Sequence, residues 1–199
     1  GSHPVPNAAS LRAGRALLRH ARACGPRDLA LVLVSGGGSA LADVPVDPLE
    51  LDDLVATNRA VLRAGATIHE LNTVRKHLSG FKGGRLGEAL AGAGHVASLI
   101  LSDVVGSPLD TIASGPTVPD PTTFVQALEV LDRYRVRRSV PARVREHLEA
   151  GARGERDETP TAEFERQFVH VIADGATAAH AAHDAALAQG LKPRVQSVD

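Results

Sequence analysis

Three short stretches hold most of the residues that could do chemistry. Ser35-Gly36-Gly37-Gly38-Ser39-Ala40 sets three glycines between two hydroxyls. Without Cβ atoms in the way, backbone N–H groups can close on an anion, so this loop suits a phosphate or a carboxylate. Asn72 to Arg85 gathers Arg75, Lys76, Lys82 and Arg85 around Gly80 and Gly83-Gly84. An arginine fork matches a carboxylate and lysines act as point charges, a set fitted to a small acid or to transferring phosphoryl oxygens. A solvated basic face would be the plainer explanation, but it leaves the helix-weakening Gly83-Gly84 pair without a purpose. In the third stretch, Ser102-Asp103 is followed by Ile112-Ala113-Ser114-Gly115-Pro116-Thr117-Val118-Pro119-Asp120. Asp103 is the candidate for Mg²⁺ contact or for a general base toward a substrate hydroxyl. Ser114, Gly115 and Thr117 add donors for phosphate, and Asp120 reads as the cap of a helix starting near Thr122.

Familiar glycine-loop patterns do not fit. G-x-G-x-x-G needs glycine where Leu41 stands, the Walker pattern needs a Lys-Ser/Thr pair, and the hydrolase elbow G-x-S-x-G also fails at Leu41. His180 and His183 with Asp184 have a metal-like spacing without an evident third ligand, so they read as exposed side chains of an Ala-rich helix. His69 and His77 lie near the basic segment.

These loops need elements to hold them. A helical pattern over 8–23 ends at Gly25-Pro26, and Leu29 to Val34 is an unbroken aliphatic run of strand length that reads as buried on both faces. Helical periodicity returns over 49–64, 67–77 and 86–91. A second strand, 96–102, ends at Asp103, and helices over 125–134 and 142–150 follow. Then come a strand over 168–173, a helix over 177–189 and the start of a further strand over 193–198. Strands alternate with helices, which predicts an α/β fold, doubly wound around a mainly parallel sheet, with its ligand site at the carboxyl ends of the strands. Residues 1–150 form the main domain, the polar stretch 151–167 a linker or mobile loop, and 168–199 the start of a second α/β segment.

Composition narrows the function. Lys plus Arg (22) nearly balances Asp plus Glu (23), so overall charge gives no attraction to nucleic acid or anionic lipid. Four Phe, one Tyr and no Trp leave little to stack on bases. No apolar run reaches membrane-span length and no signal-peptide layout opens the chain, which predicts a cytoplasmic protein. Cys24 is the single cysteine and reads as a small core residue.

In order, S-G-G-G-S-A-L (Ser35 to Leu41), N-x-V-R-K-H-L-S-x-x-K-G-G-R-L (Asn72 to Leu86), S-D-V-V-G (Ser102 to Gly106) and I-A-S-G-P-T-V-P-D-P-T-T (Ile112 to Thr123) resemble the MOFRL-type glycerate 2-kinase family. Members of that family also carry the name hydroxypyruvate reductase. The resemblance implies transfer of the γ-phosphoryl group of ATP to D-glycerate with Mg²⁺. Gly1, His3, Pro4 and Pro6 fit the family's G-x-H-P-x-P opening, although Gly-Ser-His is also a common remnant of tag removal. Family members are roughly twice this long, with an N-terminal lysine and a carboxyl-terminal arginine implicated in catalysis, so the chain reads as a fragment.

The expected division of labour follows. Ser35, Gly36, Gly37, Gly38, Ser39, Ser114, Gly115 and Thr117 bind the nucleotide phosphates; Asn72, Arg75, Lys82 and Arg85 hold glycerate; Lys76, Arg75 and Asp103 are catalytic, with Asp103 on the metal. The partners are ATP and a small hydroxy acid, with no nucleic acid and no membrane, and a homodimer is left open. Two alternatives remain: an NAD(P)H-dependent hydroxypyruvate reductase, which the missing G-x-G-x-x-G disfavours, and a phosphate-ligand binding fragment without turnover.

Overall fold

The computed structural model describes residues 1–102, 104 and 106–196. In chain order the elements are α1 (Ala8–Ala23), β1 (Leu29–Val34), α2 (Gly38–Leu41), α3 (Leu51–Arg63), α4 (Ile68–Leu78), α5 (Arg85–Ala89), β2 (His95–Leu101), α6 (Phe124–Arg133), α7 (Ala142–Ala152), β3 (Gln167–Ala173) and α8 (Gly175–Ala188). Side-chain caps explain several of the starts. Asn7, Thr67, Thr123 and Asp174 each accept an N–H of the following turn in α1, α4, α6 and α8. Residues 191–196 carry no regular structure, and the end of the strand expected over 193–198 lies outside the described residues.

The sheet is parallel, in the order β1-β2-β3. Its register places Leu31, Ala97 and Phe168 side by side, with Leu33, Leu99 and His170 two residues on. The opposite face carries Val32, Ser98 and Val169, then Val34, Ile100 and Val171. That second face is covered: Val96, Ser98 and Ile100 are buried, and Ile112 packs against Val34 and Ile100. The first face is open, with Leu29, Leu31, Leu33, Phe168 and Ile172 each more than half exposed. The parallel α/β fold is as expected, but the strands are not buried on both faces, because no described element covers the leucine side.

Most helices pack on one another. α3, α4, α6 and α7 enclose one core, with Val61, Phe124, Leu131, Val144 and Leu148 fully buried. α1, α5 and β2 share a second core through Leu18, Phe81, Leu86, Leu90 and Val96, and half-buried Cys24 packs at its margin. The stretch 151–167, expected as a linker or mobile loop, is tied down at several points. Glu158 accepts the Phe124 N–H and meets His77 Nε2 at 3.1 Å, Thr159 donates to Asp120, and the Asp120 N–H donates to the Pro160 carbonyl.

α4 is oriented by its first acid. Glu70 accepts from the Thr67 N–H and hydroxyl, from the Tyr134 hydroxyl at 2.7 Å and from Arg133 at 2.7 Å, joining the start of α4 to the end of α6. The Tyr134 hydroxyl, then the Thr67 groups and Arg133, hold the Glu70 carboxyl down at about 2, from 4.5. A depressed carboxyl stabilises the fold above its unfolded value and loses that contribution as pH falls from about 4.5 toward about 2. Glu70→Gln should therefore melt below wild type at about pH 6 and match it near pH 2; thermal melts showing an equal gap at both pH values would refute this.

Candidate active site

The three parallel strands end at one rim, and the loops leaving them are Ser35 to Gly37 after β1, Ser102 after β2 and Asp174 after β3. Gly37 takes a left-handed conformation (φ 78°) that turns the chain directly into α2. The first bonds of that turn run from the Ala40 N–H to the Gly37 carbonyl and from the Ala42 N–H to the Gly38 carbonyl. The N–H groups of Gly36, Gly37, Gly38 and Ser39 precede them and have no backbone partner among the described residues. Beside the loop lies a cavity of 520 Å³, with Ser35, Gly36 and Gly38 at one end and Leu17, Leu31 and Leu33 along its apolar wall.

The glycine loop rests on residues 112–115. A Cβ on Gly38 would stand 2.8 Å from the Cβ of Ala113, so only glycine permits this approach. Ala113, Ser114 and Gly115 are consecutive left-handed residues (φ 52°, 61° and 57°). Such backbone costs about 1–2 kcal/mol for each residue that bears a Cβ, so other contacts must hold it. Ser114 Oγ lies 2.8 Å from Ser39 Oγ and donates to Asn72 Oδ1 at 3.0 Å, while Asn72 Nδ2 donates to the Thr111 carbonyl. On its other side the strained turn is stitched to Gly83-Gly84: the Gly83, Gly84 and Gly87 N–H groups donate to the carbonyls of Ser114, Gly115 and Pro116. The expected phosphate donors Ser114 and Gly115 are thus occupied, their own N–H groups going to Thr111 and Ile112. Thr117 is buried as well, accepting the Ser98 hydroxyl at 3.0 Å.

The cationic segment is an interior feature. Every residue from Leu71 to Ser79 is buried. Lys76 Nζ sits 3.1 Å from Asp110 and 3.0 Å from Asp120, and only Asp110 of the three is partly open to solvent. Asp120 also accepts the hydroxyls of Thr122 and Thr159. Burial pushes the Asp120 carboxyl up, but Lys76 and Thr122 outweigh it and the net shift is downward. Asp120 is therefore the buried counter-ion of Lys76, and the cap of α6 is Thr123. Arg75 donates to Asn58 and to the Pro4 carbonyl. Lys82 is fully enclosed against Asp43 at 2.5 Å, and Asp43 also accepts the Ser79 hydroxyl. Burial lowers the pKa of both Arg75 and Lys82 against the opposing pull of Asp43. Arg85 stands apart, lining a different groove with Arg22 and Glu88.

The structure accordingly links Ser39, Ser114 and Asn72 by hydrogen bonds beneath the glycine loop, pairs Lys76 with Asp110 and Asp120, and turns Arg75, Lys82 and Arg85 elsewhere. Asp103, expected on the metal and in catalysis, lies outside the described residues. Among the described residues no three His, Cys, Asp or Glu side chains are grouped to hold a metal ion, and no helix is long and apolar enough to cross a membrane. The partners that residue-by-residue reading missed are Asp43, Asp110, Thr111 and Glu158. Their signal was indirect: three cations inside a buried helix and its following turn require carboxylates nearby, and Asp43 and Asp110 stand just after the glycine loop and just before Ile112.

Comparison with known proteins gives the chain its relatives. Residues 1–149 match the family model described as "Domain of unknown function (DUF4147)". The glycerate 2-kinase of Pyrococcus horikoshii is 47% identical over 157 residues, which is 79% of this chain and 35% of that protein. An Agrobacterium vitis protein provisionally named a hydroxypyruvate reductase is 42% identical over 194 residues, 98% of this chain and 42% of that one. The crystal structure of the Thermotoga maritima glycerate kinase superposes with a TM-score of 0.82 at 36% identity, covering 96% of this chain and 43% of its own. The chain spans less than half the length of these relatives. With the family model matched along residues 1–149 of 199, the chain belongs to the DUF4147 family.

Proposed function

We propose that this chain supplies the phosphate-holding part of a glycerate 2-kinase, which transfers the γ-phosphoryl group of ATP to D-glycerate. The observation that carries the proposal is the glycine loop, whose N–H groups at the end of β1 have no backbone partner among the described residues and whose position is braced by a strained second loop. An open row of N–H groups at a strand's carboxyl end suits phosphoryl oxygens. The kinase names of the relatives agree with it. In the transfer, a glycerate hydroxyl oxygen bonds to the γ-phosphorus as the bond to the bridging oxygen of ADP breaks, and the hydroxyl proton goes to a base, for which Asp103 is our candidate. Catalysis of this kind depends mainly on positioning and electrostatics.

Within this reading the backbone of Gly36 to Gly38 holds phosphate, and the apolar cavity beside it accommodates the nucleoside. Lys76 acts through Asp110 and Asp120 by fixing the bracing loop, while Arg75 and Lys82 hold the glycine-bearing segments in place. Mg²⁺ commonly takes one or two protein carboxylates together with substrate phosphates. Asp110 fits such a contact, since one oxygen meets Lys76 and the side chain is partly exposed; Asp103 is the other candidate. When bound, the ion would neutralise charge on the phosphates. We place the protein in the cytoplasm.

Incubated with ATP, Mg²⁺ and D-glycerate, the full-length protein should release ADP and form 2-phosphoglycerate, identified by phosphorus NMR. It should not oxidise NAD(P)H with hydroxypyruvate. Gly38→Ala should lower kcat/KM by about tenfold or more, because misplacing a binding loop by about 1 Å can cost a factor of a hundred. Absence of glycerate-dependent ADP release from folded protein would refute the kinase reading. Asp120→Ala, which leaves the Lys76 ammonium with one partly exposed partner, should destabilise the fold by about 3–5 kcal/mol in chemical denaturation. A loss under about 1 kcal/mol would mean that the pair does not brace the loop.

A further inference from the structure

The bracing hydrogen bonds have a direction, and that direction is set by a group that cannot donate. The Thr111 carbonyl accepts from Asn72 Nδ2 at 3.3 Å, so the Asn72 amide presents its oxygen to Ser114. That oxygen only accepts, and it takes the single proton of the Ser114 hydroxyl at 3.0 Å. Ser39 Oγ, 2.8 Å from Ser114 Oγ, must therefore donate its own proton inward. Ser114 is fully buried and Asn72 nearly so, which removes solvent as an alternative partner, whereas Ser39 remains partly exposed.

We infer that Ser39 faces the ligand as a hydrogen-bond acceptor only, so that it binds a ligand hydroxyl and leaves phosphoryl oxygens to the neighbouring N–H groups. A phosphate oxygen at Ser39 would set one acceptor against another, whereas an alcohol would complete the chain by donating to it. The inference deepens the proposed kinase site and rests on that reading for the identity of the alcohol: a hydroxyl of the hydroxy acid or a ribose hydroxyl of the nucleotide. It differs from the expectation that both hydroxyls flanking the glycines donate to phosphate.

Calorimetric titration of the full-length protein with inorganic phosphate, D-glycerate and adenosine as separate probes tests it. Ser39→Ala should leave the phosphate Kd within about twofold and weaken one hydroxyl-bearing probe by about five- to tenfold, a typical effect of one lost hydrogen bond. Whichever of D-glycerate and adenosine responds identifies the hydroxyl. Ser114→Ala and Asn72→Ala each free the Ser39 proton to turn outward, so both should tighten phosphate binding. Circular dichroism checks their folding, and if one fails to fold the other decides; if neither folds, the Ser39→Ala titrations decide. The inference is overturned if Ser39→Ala weakens phosphate by fivefold or more, if it leaves all three probes unchanged, if folded Ser114→Ala and Asn72→Ala bind phosphate no more tightly than wild type, or if wild type binds no phosphate. Failure of the kinase reading would look different, with no ADP release on adding D-glycerate while the phosphate titrations still show this pattern.

Discussion

Burying an ammonium costs several kcal/mol unless carboxylates meet it in good geometry, and Lys76 is met by Asp110 and Asp120 at about hydrogen-bond length. The consequence is architectural. Lys76 belongs to α4, and its two partners bracket the strained turn at residues 113–115. Fixing both ends of that stretch to one helix limits where the turn between them can go. Gly83-Gly84 complete the enclosure: a Cβ on Gly83 would lie 3.0 Å from Asp120, and one on Gly84 2.9 Å from the Val118 carbonyl. The charges of the segment are therefore used to hold these loops together, and in the proposed function anion binding falls to backbone N–H groups.

The strained turn shows how local cost is carried by surrounding structure. Ala113 and Ser114 hold left-handed backbone that isolated chains avoid, yet the Ser114 hydroxyl makes two hydrogen bonds and Ile112 is buried against Val34 and Ile100. The gain is close approach. Gly38 lies against Ala113 with no space between them, so the glycine loop is supported from beneath while its N–H groups have no backbone partner among the described residues.

Much of this was legible in the residues. The aliphatic runs became β1 and β2 because their length and β-branched content leave few other structures open, and the abrupt change to glycine after Val34 placed the loop at the strand's end. What could not be read was direction. From Leu71 onward α4 is enclosed on every side while carrying Asn72, Thr73, Arg75, Lys76 and His77, so its pattern there has no polar face to separate a charge meeting ligand from one meeting Asp110. At 151–167 polarity does not reveal the contacts made: exposed Glu158 accepts the Phe124 N–H, and buried Thr159 donates to Asp120. For β1, a run of leucines and valines reads the same whether one face or two are covered, and here the leucine face is open.

The proposed site depends on a division between a glycine loop that meets ligand and a bracing loop whose groups are occupied. Amide NMR of the protein titrated with ADP and Mg²⁺ measures it directly, because glycine signals are well separated from the rest. Saturable shifts concentrated at Gly36, Gly37 and Gly38, with Gly83, Gly84 and Gly115 little changed, are the predicted result. Shifts centred on Gly115 and Gly84, with the Gly36 to Gly38 signals static, would contradict it.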